Sequence, residues 1–290
     1  MCGYNVESRG DIGPNEVTKQ IDSAVAQLSQ VQFLKVYTSG SFLDASEIGV
    51  EPRTRLLRHC SENGIRLLFE SRPEFVIDRT LEEVFAIHDE IELALGLESA
   101  NDSVLAHSIN KGFSFADYKL AADAAHSHGA SVRTYVLLKP PFLSESEAIA
   151  DSIATMRAAA ASSETISLNP VNVQNGTLVE KLWRSWAYRP PWLWSVLEVM
   201  KAGQGLSRRI VCDPSGGGKE RGAHNCGKCD GVILESLKAY SLSQDPAKLG
   251  RPDCDCVEAW RTELELEDYA IGSIDLQRHF RRRSRRPETR

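Results

Sequence analysis

The chain carries two short cysteine pairs, Cys226-Gly-Lys-Cys229 and Cys254-Asp-Cys256, in a C-x2-C-x24-C-x-C arrangement. The first has the spacing of a metal knuckle, in which two thiolates converge on one ion and Gly227 relieves crowding at the turn. The second is tighter, so the set points to a metal site without specifying the metal. Four thiolates suit zinc better than an iron–sulfur cluster, with both open, and Cys212 or His224 could replace one ligand. Unligated, four exposed thiols would be an oxidation liability. Cys60, alone in Leu56-Leu57-Arg58-His59-Cys60, reads as an inert core residue. With Cys2 the cysteines number seven, and an odd count argues against a disulfide framework. The amino end has no basic region followed by an apolar core, so a cytoplasmic setting is expected.

A second group of chemically capable residues sits where apolar runs end. Phe33 to Thr38 leads into Thr38-Ser-Gly-Ser-Phe-Leu-Asp44, Ile65 to Glu70 into Glu70-Ser-Arg-Pro-Glu74, and Ile91 to Leu97 into Gly96-Leu-Glu-Ser99. Val132 to Leu138 leads into Lys139-Pro-Pro141, and Thr165 to Leu168 into Asn169-Pro-Val-Asn172. Glu70 or Glu98 alone could be a structural carboxylate in an ion pair, but five polar ends together point to a site. Gly216-Gly-Gly-Lys219 lacks the G-x4-G-K-[S/T] spacing of a phosphate loop and precedes Glu220, so it reads as a flexible loop entering the cysteine pairs. Trp183-Arg-Ser-Trp186-Ala-Tyr-Arg-Pro-Pro-Trp192-Leu-Trp194 could stack on unpaired bases. Its spacing favours packing of an extra helix against the core.

To bring these ends together, the chain must alternate strands and helices. Helical patterns cover roughly Pro14 to Gln30, Pro52 to Asn63, Thr80 to Asp89, Phe115 to His128 and Glu145 to Ala160, and a sixth strand pattern covers Arg209 to Cys212. Such alternation predicts βαβ units, a parallel sheet and a closed or partly closed barrel. In that architecture chemistry gathers at the carboxyl ends of the strands. The 290 residues, 42% hydrophobic and 26% charged, exclude disorder as the main state. The apolar runs are far too short for the ~20 residues of a membrane span. A net charge of -6 hides an uneven distribution: residues 278–290 hold seven arginines and one glutamate, a local +6 that leaves -12 on the body. Such an end suggests an appendage for nucleic acid or another polyanion, with a merely solvated tail as the alternative. The expected organisation is a barrel over 1–212, a cysteine-rich module over 213–275 and a basic tail over 276–290.

The whole pattern resembles the radical S-adenosylmethionine (SAM) enzymes, and more closely their archaeosine synthase beta-subunit branch, which modifies tRNA in archaea. The likeness rests on Met1-Cys-Gly-Tyr4, Tyr37-Thr-Ser-Gly-Ser-Phe-Leu-Asp44, Phe69-Glu-Ser-Arg-Pro-Glu74 and Gly96-Leu-Glu-Ser-Ala-Asn-Asp102 with Ile109-Asn-Lys-Gly112. It continues through Leu138-Lys-Pro-Pro-Phe142, Asn169-Pro-Val-Asn172 and His224-Asn-Cys-Gly-Lys-Cys-Asp230. It spans nearly the whole chain.

The resemblance implies a 4Fe-4S cluster held by three cysteines, with SAM on the open iron, whose reductive cleavage yields a 5'-deoxyadenosyl radical. Related proteins carry a C-x7-C-x2-C run ending in a Met-Cys-Gly-Tyr-like segment. Cys2 matches its third cluster ligand, and the other two would lie upstream of Met1. A start assigned to an internal methionine is the favoured explanation over a truncated descendant that has lost the cluster. The first barrel strand would be missing with those cysteines. Ser39, Gly40 and Ser41 match the strand end that meets the amino group of the cofactor, where larger side chains would block the backbone. Glu70 and Glu98 would bond its ammonium or ribose hydroxyls, and Asn169, Pro170 and Asn172 would lie near the adenine.

The implied fold is therefore α/β, a partial (β/α) barrel of radical SAM type with a small cysteine-rich module. The implied function is a lyase that converts a lysine-adducted deazaguanine base in tRNA to archaeosine, with tRNA and a transglycosylase-like alpha subunit as partners. Two other functions stay open: a non-catalytic tRNA-binding or partner subunit without the cluster, and a radical SAM enzyme of the same branch with another substrate.

Overall fold

The computed structural model describes residues 3, 12–27, 30–38 and 40–270. Six strands, β1 Phe33–Val36, β2 Arg66–Ser71, β3 Ile91–Glu98, β4 Ser131–Leu138, β5 Thr165–Pro170 and β6 Arg209–Cys212, form one all-parallel sheet in sequential order, curved into a half-barrel. Parallel neighbours require crossovers, and helices supply most of them. They are α1 Pro14–Val25, α2 Val50–Glu62, α3 Asp78–Phe85, α4 Phe115–Ser127, α5 Glu145–Ala159, α6 Leu178–Arg184, α7 Leu193–Gly203, α8 Asp230–Ser243 and α9 Cys256–Ala270. The starts of α4 and α5 are written in the sequence as reciprocal capping boxes, Ser114 with Asp117 and Ser144 with Glu147. Among the described residues nothing pairs with the outer edge of β1, where the additional first strand was expected.

Strand residues alternate between two faces. Leu34, Val36, Leu67, Phe69, Leu93, Leu95 and Val132 join α2, α3 and α4 in one apolar cluster; Cys60 is fully buried there, and burial pushes its thiol up to about 11. Val136, Leu138, Ile166, Leu168, Ile210 and Cys212 join α5, α7 and α8 in a second. Ile233, Leu237, Tyr240, Leu249 and Trp260 belong to that same second cluster, so the region drawn as a cysteine module shares its core with the barrel. The opposite, concave face carries the alternate set. Lys35, Tyr37, Glu70, Glu92, Glu98, Arg133, Tyr135, Ser167 and Asn169 lie on it, so segments expected as apolar runs prove to have one polar face.

Candidate active site

At the base of the concave face, Glu92 receives Arg133 Nε at 2.8 Å and Arg66 Nη2 at 2.9 Å. That buried carboxylate is fully paired and closes the floor. Above it the next layer holds Tyr37, Glu70 and Tyr135. Burial pushes the Glu70 carboxyl up, while the Tyr135 hydroxyl and the Thr38 N–H, both bonded to it, hold it back. Burial and the Glu70 charge push Tyr135 well above its ordinary value. Beside them Thr38 Oγ1 is buried without a hydrogen-bond partner among the described residues.

The end of β3 is built to extend this layer. Register slips between Leu95 and Glu98, and Glu98 takes a left-handed φ of 72°, a strained conformation for a residue with a side chain. Its carboxylate meets Lys111 Nζ at 3.0 Å. A Cβ on Gly96 would lie 2.9 Å from Lys111 Nζ and 3.0 Å from Glu98 Oε1, so the glycine leaves room for this pair. Lys111 follows a π-helical turn, Leu105–Ile109, whose exit through Asn110 is left-handed; such turns recur at functional sites. Outside the rim, Ser99 Oγ donates to Asp151 at 2.9 Å and the Ala100 N–H to Thr155 Oγ1 at 2.9 Å, fixing the turn after Glu98 from α5.

After β1 the chain enters the expected glycine segment. Ser39 lies outside the described residues. The Ser41 N–H donates to Glu47 Oε2 at 2.9 Å, and a Cβ on Gly40 would fall 1.8 Å from Glu47 Oε1. The open side of the glycine thus faces a carboxylate of its own loop. Buried Arg53 holds that loop from α2, with Nη1 on the Leu43 carbonyl at 3.0 Å. Ser41 Oγ accepts the Arg72 N–H at 2.9 Å, joining the ends of β1 and β2. Asn169 Oδ1 accepts from Ser167 Oγ at 3.2 Å. Asn172 packs against Gly216. The Gly216–Lys219 loop, expected to be flexible, is closed on itself, since a Cβ on Gly222 would lie 2.3 Å from the Gly216 carbonyl oxygen. Cys2 lies outside the described residues. Gly3, its sequence neighbour, is buried against the loop after β5, with its N–H 2.5 Å from Gln174 Oε1.

The four cysteines of the two pairs do come together: their Sγ atoms all lie within 4.8 Å of one another. Cys226 and Cys254 stand 3.6 Å apart, as do Cys229 and Cys256. Only Cys226 is exposed, against the expectation that all four would be. The Lys228 N–H holds its thiol down at about 7. Cys212 and His224 do not join them; Cys212 is buried at the end of β6 and His224 Nδ1 bonds the Gly222 carbonyl.

Sequence reasoning gave no role to Lys111, Thr38 or Tyr135. Lys111 was within reach, since it stands in the Ile109–Gly112 motif, but pattern alone does not bring position 111 to position 98. The aromatic segment divides. Trp192 and Trp194 are buried, as the packing reading expected, whereas Trp186 is 93% exposed.

A parallel α/β half-barrel with polar, ionisable groups gathered at its concave carboxyl end is the fold that the resemblance to radical SAM enzymes led one to expect. Archaeal Elp3 from Methanocaldococcus infernus, with residues 1–46 deleted, shares it at a TM-score of 0.52 and 15% identity, the match covering 69% of this chain and 51%, about half, of that one. No protein-family model matches the sequence. Archaeosine synthase subunit beta from Methanosarcina acetivorans is 39% identical over 282 residues, 94% of this chain and 82% of the relative. The same-named subunit of Thermococcus kodakarensis is 40% identical over 239 residues, 80% of this chain and 74% of the relative. The chain belongs to the archaeosine synthase subunit beta family.

Proposed function

We propose that the chain is the radical SAM subunit of an archaeosine-forming enzyme, acting as a lyase on a lysine-adducted deazaguanine base in tRNA beside an alpha subunit. The observation that carries this reading is the 39% identity to an archaeosine synthase subunit beta across 94% of the chain. It is supported by the concave face, whose donor set suits SAM: two carboxylates for an ammonium and ribose hydroxyls, the unpartnered Thr38 hydroxyl, and the Asn169 amide toward the adenine. In this reading Ser39, Gly40 and Ser41 form the rim at the amino group, Glu70 and Glu98 bind the cofactor, and Cys2 is one ligand of the 4Fe-4S cluster. SAM bound to such a cluster supplies homolytic C–H chemistry. The chain's own residues do the remainder. Glu98 and Lys111 shape the wall toward the substrate, the Glu92 ion pairs seal the floor against water, and Glu70, whose carboxyl burial pushes up, can hold or release a proton beside Tyr135.

The test is anaerobic turnover of the full protein with its alpha subunit, SAM and tRNA carrying the lysine adduct, followed by nucleoside mass spectrometry. Archaeosine formation that is lost in Glu98→Gln is the expected result. Absence of archaeosine with a demonstrably loaded cluster overturns the reading, and conversion of another base places the chain with a different substrate.

A further inference from the structure

The geometry of the second cysteine site discriminates between a single ion and a cluster. Thiolates on one zinc ion sit about 2.3 Å from it, so a tetrahedral set has sulfurs about 3.8 Å apart. In a multi-iron cluster the thiolates bind different irons and are splayed by the iron–sulfide core between them. Here two sulfur pairs are 3.6 Å apart and no pair exceeds 4.8 Å. That spacing encloses one ion and leaves no room for a cluster.

Two of the four sulfurs accept hydrogen bonds from the surrounding protein. Trp194 Nε1 donates to Cys256 Sγ at 3.3 Å and Asn225 Nδ2 to Cys229 Sγ at 3.2 Å. Such donors orient metal ligands and offset their charge. The knuckle is preformed by Asp230, whose carboxylate takes the Asn225 N–H and the Gly227 N–H, each at 3.0 Å, with Gly227 in the left-handed region at φ 87°. All four positions are protein sulfur, which is the closed arrangement of a structural site.

We propose that Cys226, Cys229, Cys254 and Cys256 hold one zinc ion that fastens α9 to the barrel. Cys229 immediately precedes α8 and Cys256 begins α9, so one ion pins both helix starts beside Trp194 of α7. From there α9 reaches back to the end of β4. Trp260 Nε1 donates to Ser195 Oγ at 2.9 Å, Ser195 Oγ to Glu145 Oε1 at 2.5 Å, and Trp192 Nε1 to Glu263 Oε2 at 2.7 Å. Lys139, left-handed at φ 61° just after β4, places Nζ 2.5 Å from Glu145 and 3.9 Å from Glu263. The ion therefore acts at a distance on the loop that follows β4.

Metal analysis and zinc-edge X-ray absorption of the purified full protein test this independently of any activity. The expected result is one zinc per chain, four sulfur neighbours at about 2.3 Å, and release of that zinc on titration of four thiols with a mercurial. Trp194→Phe, which keeps the ring, is expected to weaken zinc retention about tenfold or more while leaving the circular dichroism unchanged. Zinc well below one per chain, a nitrogen or oxygen neighbour, or iron that persists in Cys2→Ala and disappears in Cys229→Ser overturns the proposal.

Discussion

Lys111 Nζ stands 3.0 Å from Glu98 Oε1, directly over the bare Cα of Gly96. Both side chains are largely withdrawn from solvent, and together they form the wall of the concave face at the end of β3. A methyl group on Gly96 has nowhere to go except into this pair. Gly96→Ala is expected to part it and to reduce SAM binding at least tenfold, while the melting temperature moves by only a few degrees. Calorimetric SAM titration alongside thermal unfolding checks this. Unaltered affinity would remove Glu98 from the cofactor wall.

Asp151 supports that wall from α5. Burial pushes its carboxyl up to about 6, and the Ser99 hydroxyl offsets only part of the effect. A carboxyl raised in the folded state contributes stability fully present below about pH 4 and lost as pH rises toward 6. Asp151→Asn removes the charge and keeps an acceptor for Ser99. At pH 8 it is expected to stabilise the protein by roughly 2–3 kcal/mol, with the gain narrowing toward pH 5. Urea unfolding at both pH values measures the difference; an equal gain at both would place its origin elsewhere.

Arg53 is buried, and its guanidinium holds the Leu43 carbonyl at 3.0 Å. Arg53→Met fills similar volume but leaves that carbonyl unpaired, at a cost of about 1–3 kcal/mol. Because the Gly40–Glu47 loop hangs on this contact, SAM affinity is expected to fall as well. Chemical unfolding and SAM titration of one preparation test the two effects separately.

The arginine-rich residues 278–290 lie outside the described residues, and what is expected of them follows from charge alone. With +6 there against -12 on the body, long-range attraction for the proposed tRNA partner is expected to come from this end. If about five arginines reach phosphates, deleting the thirteen residues should flatten the dependence of log affinity on log salt by several units. Selectivity among tRNAs should change less than affinity. Binding isotherms at several salt concentrations decide it, and an unchanged slope would leave the segment without a role in binding.

Much of this fold was legible because its signals are local. The apolar run Val132–Leu138 announced a strand, and the helical patterns beginning at Phe115 and Glu145 match the observed helix starts. Cysteine spacing announced the convergence of the four sulfurs. What stayed hidden depends on pairings distant in sequence. Trp192 meets Glu263, and Trp260 meets Ser195, across intervals that no local period encodes. Lys111 reaches Glu98 only because a π-turn and the left-handed Asn110 redirect the chain between them. The closed Gly216–Gly222 loop was misread for a related reason: glycines that permit tight self-packing look the same in sequence as glycines that confer freedom.

The fourth strand has an unusual position between the two apolar clusters. Val132, near its start, belongs to the cluster beneath β1–β3, whereas Val136 and Leu138, near its end, belong to the cluster beneath β5 and β6. Local opening in proteins tends to follow such cooperative units. Amide hydrogens on either flank can therefore exchange as separate populations, and those of β4, directed alternately to β3 and to β5, divide between the two. The strand is thus the place where damage in either half is felt by the other.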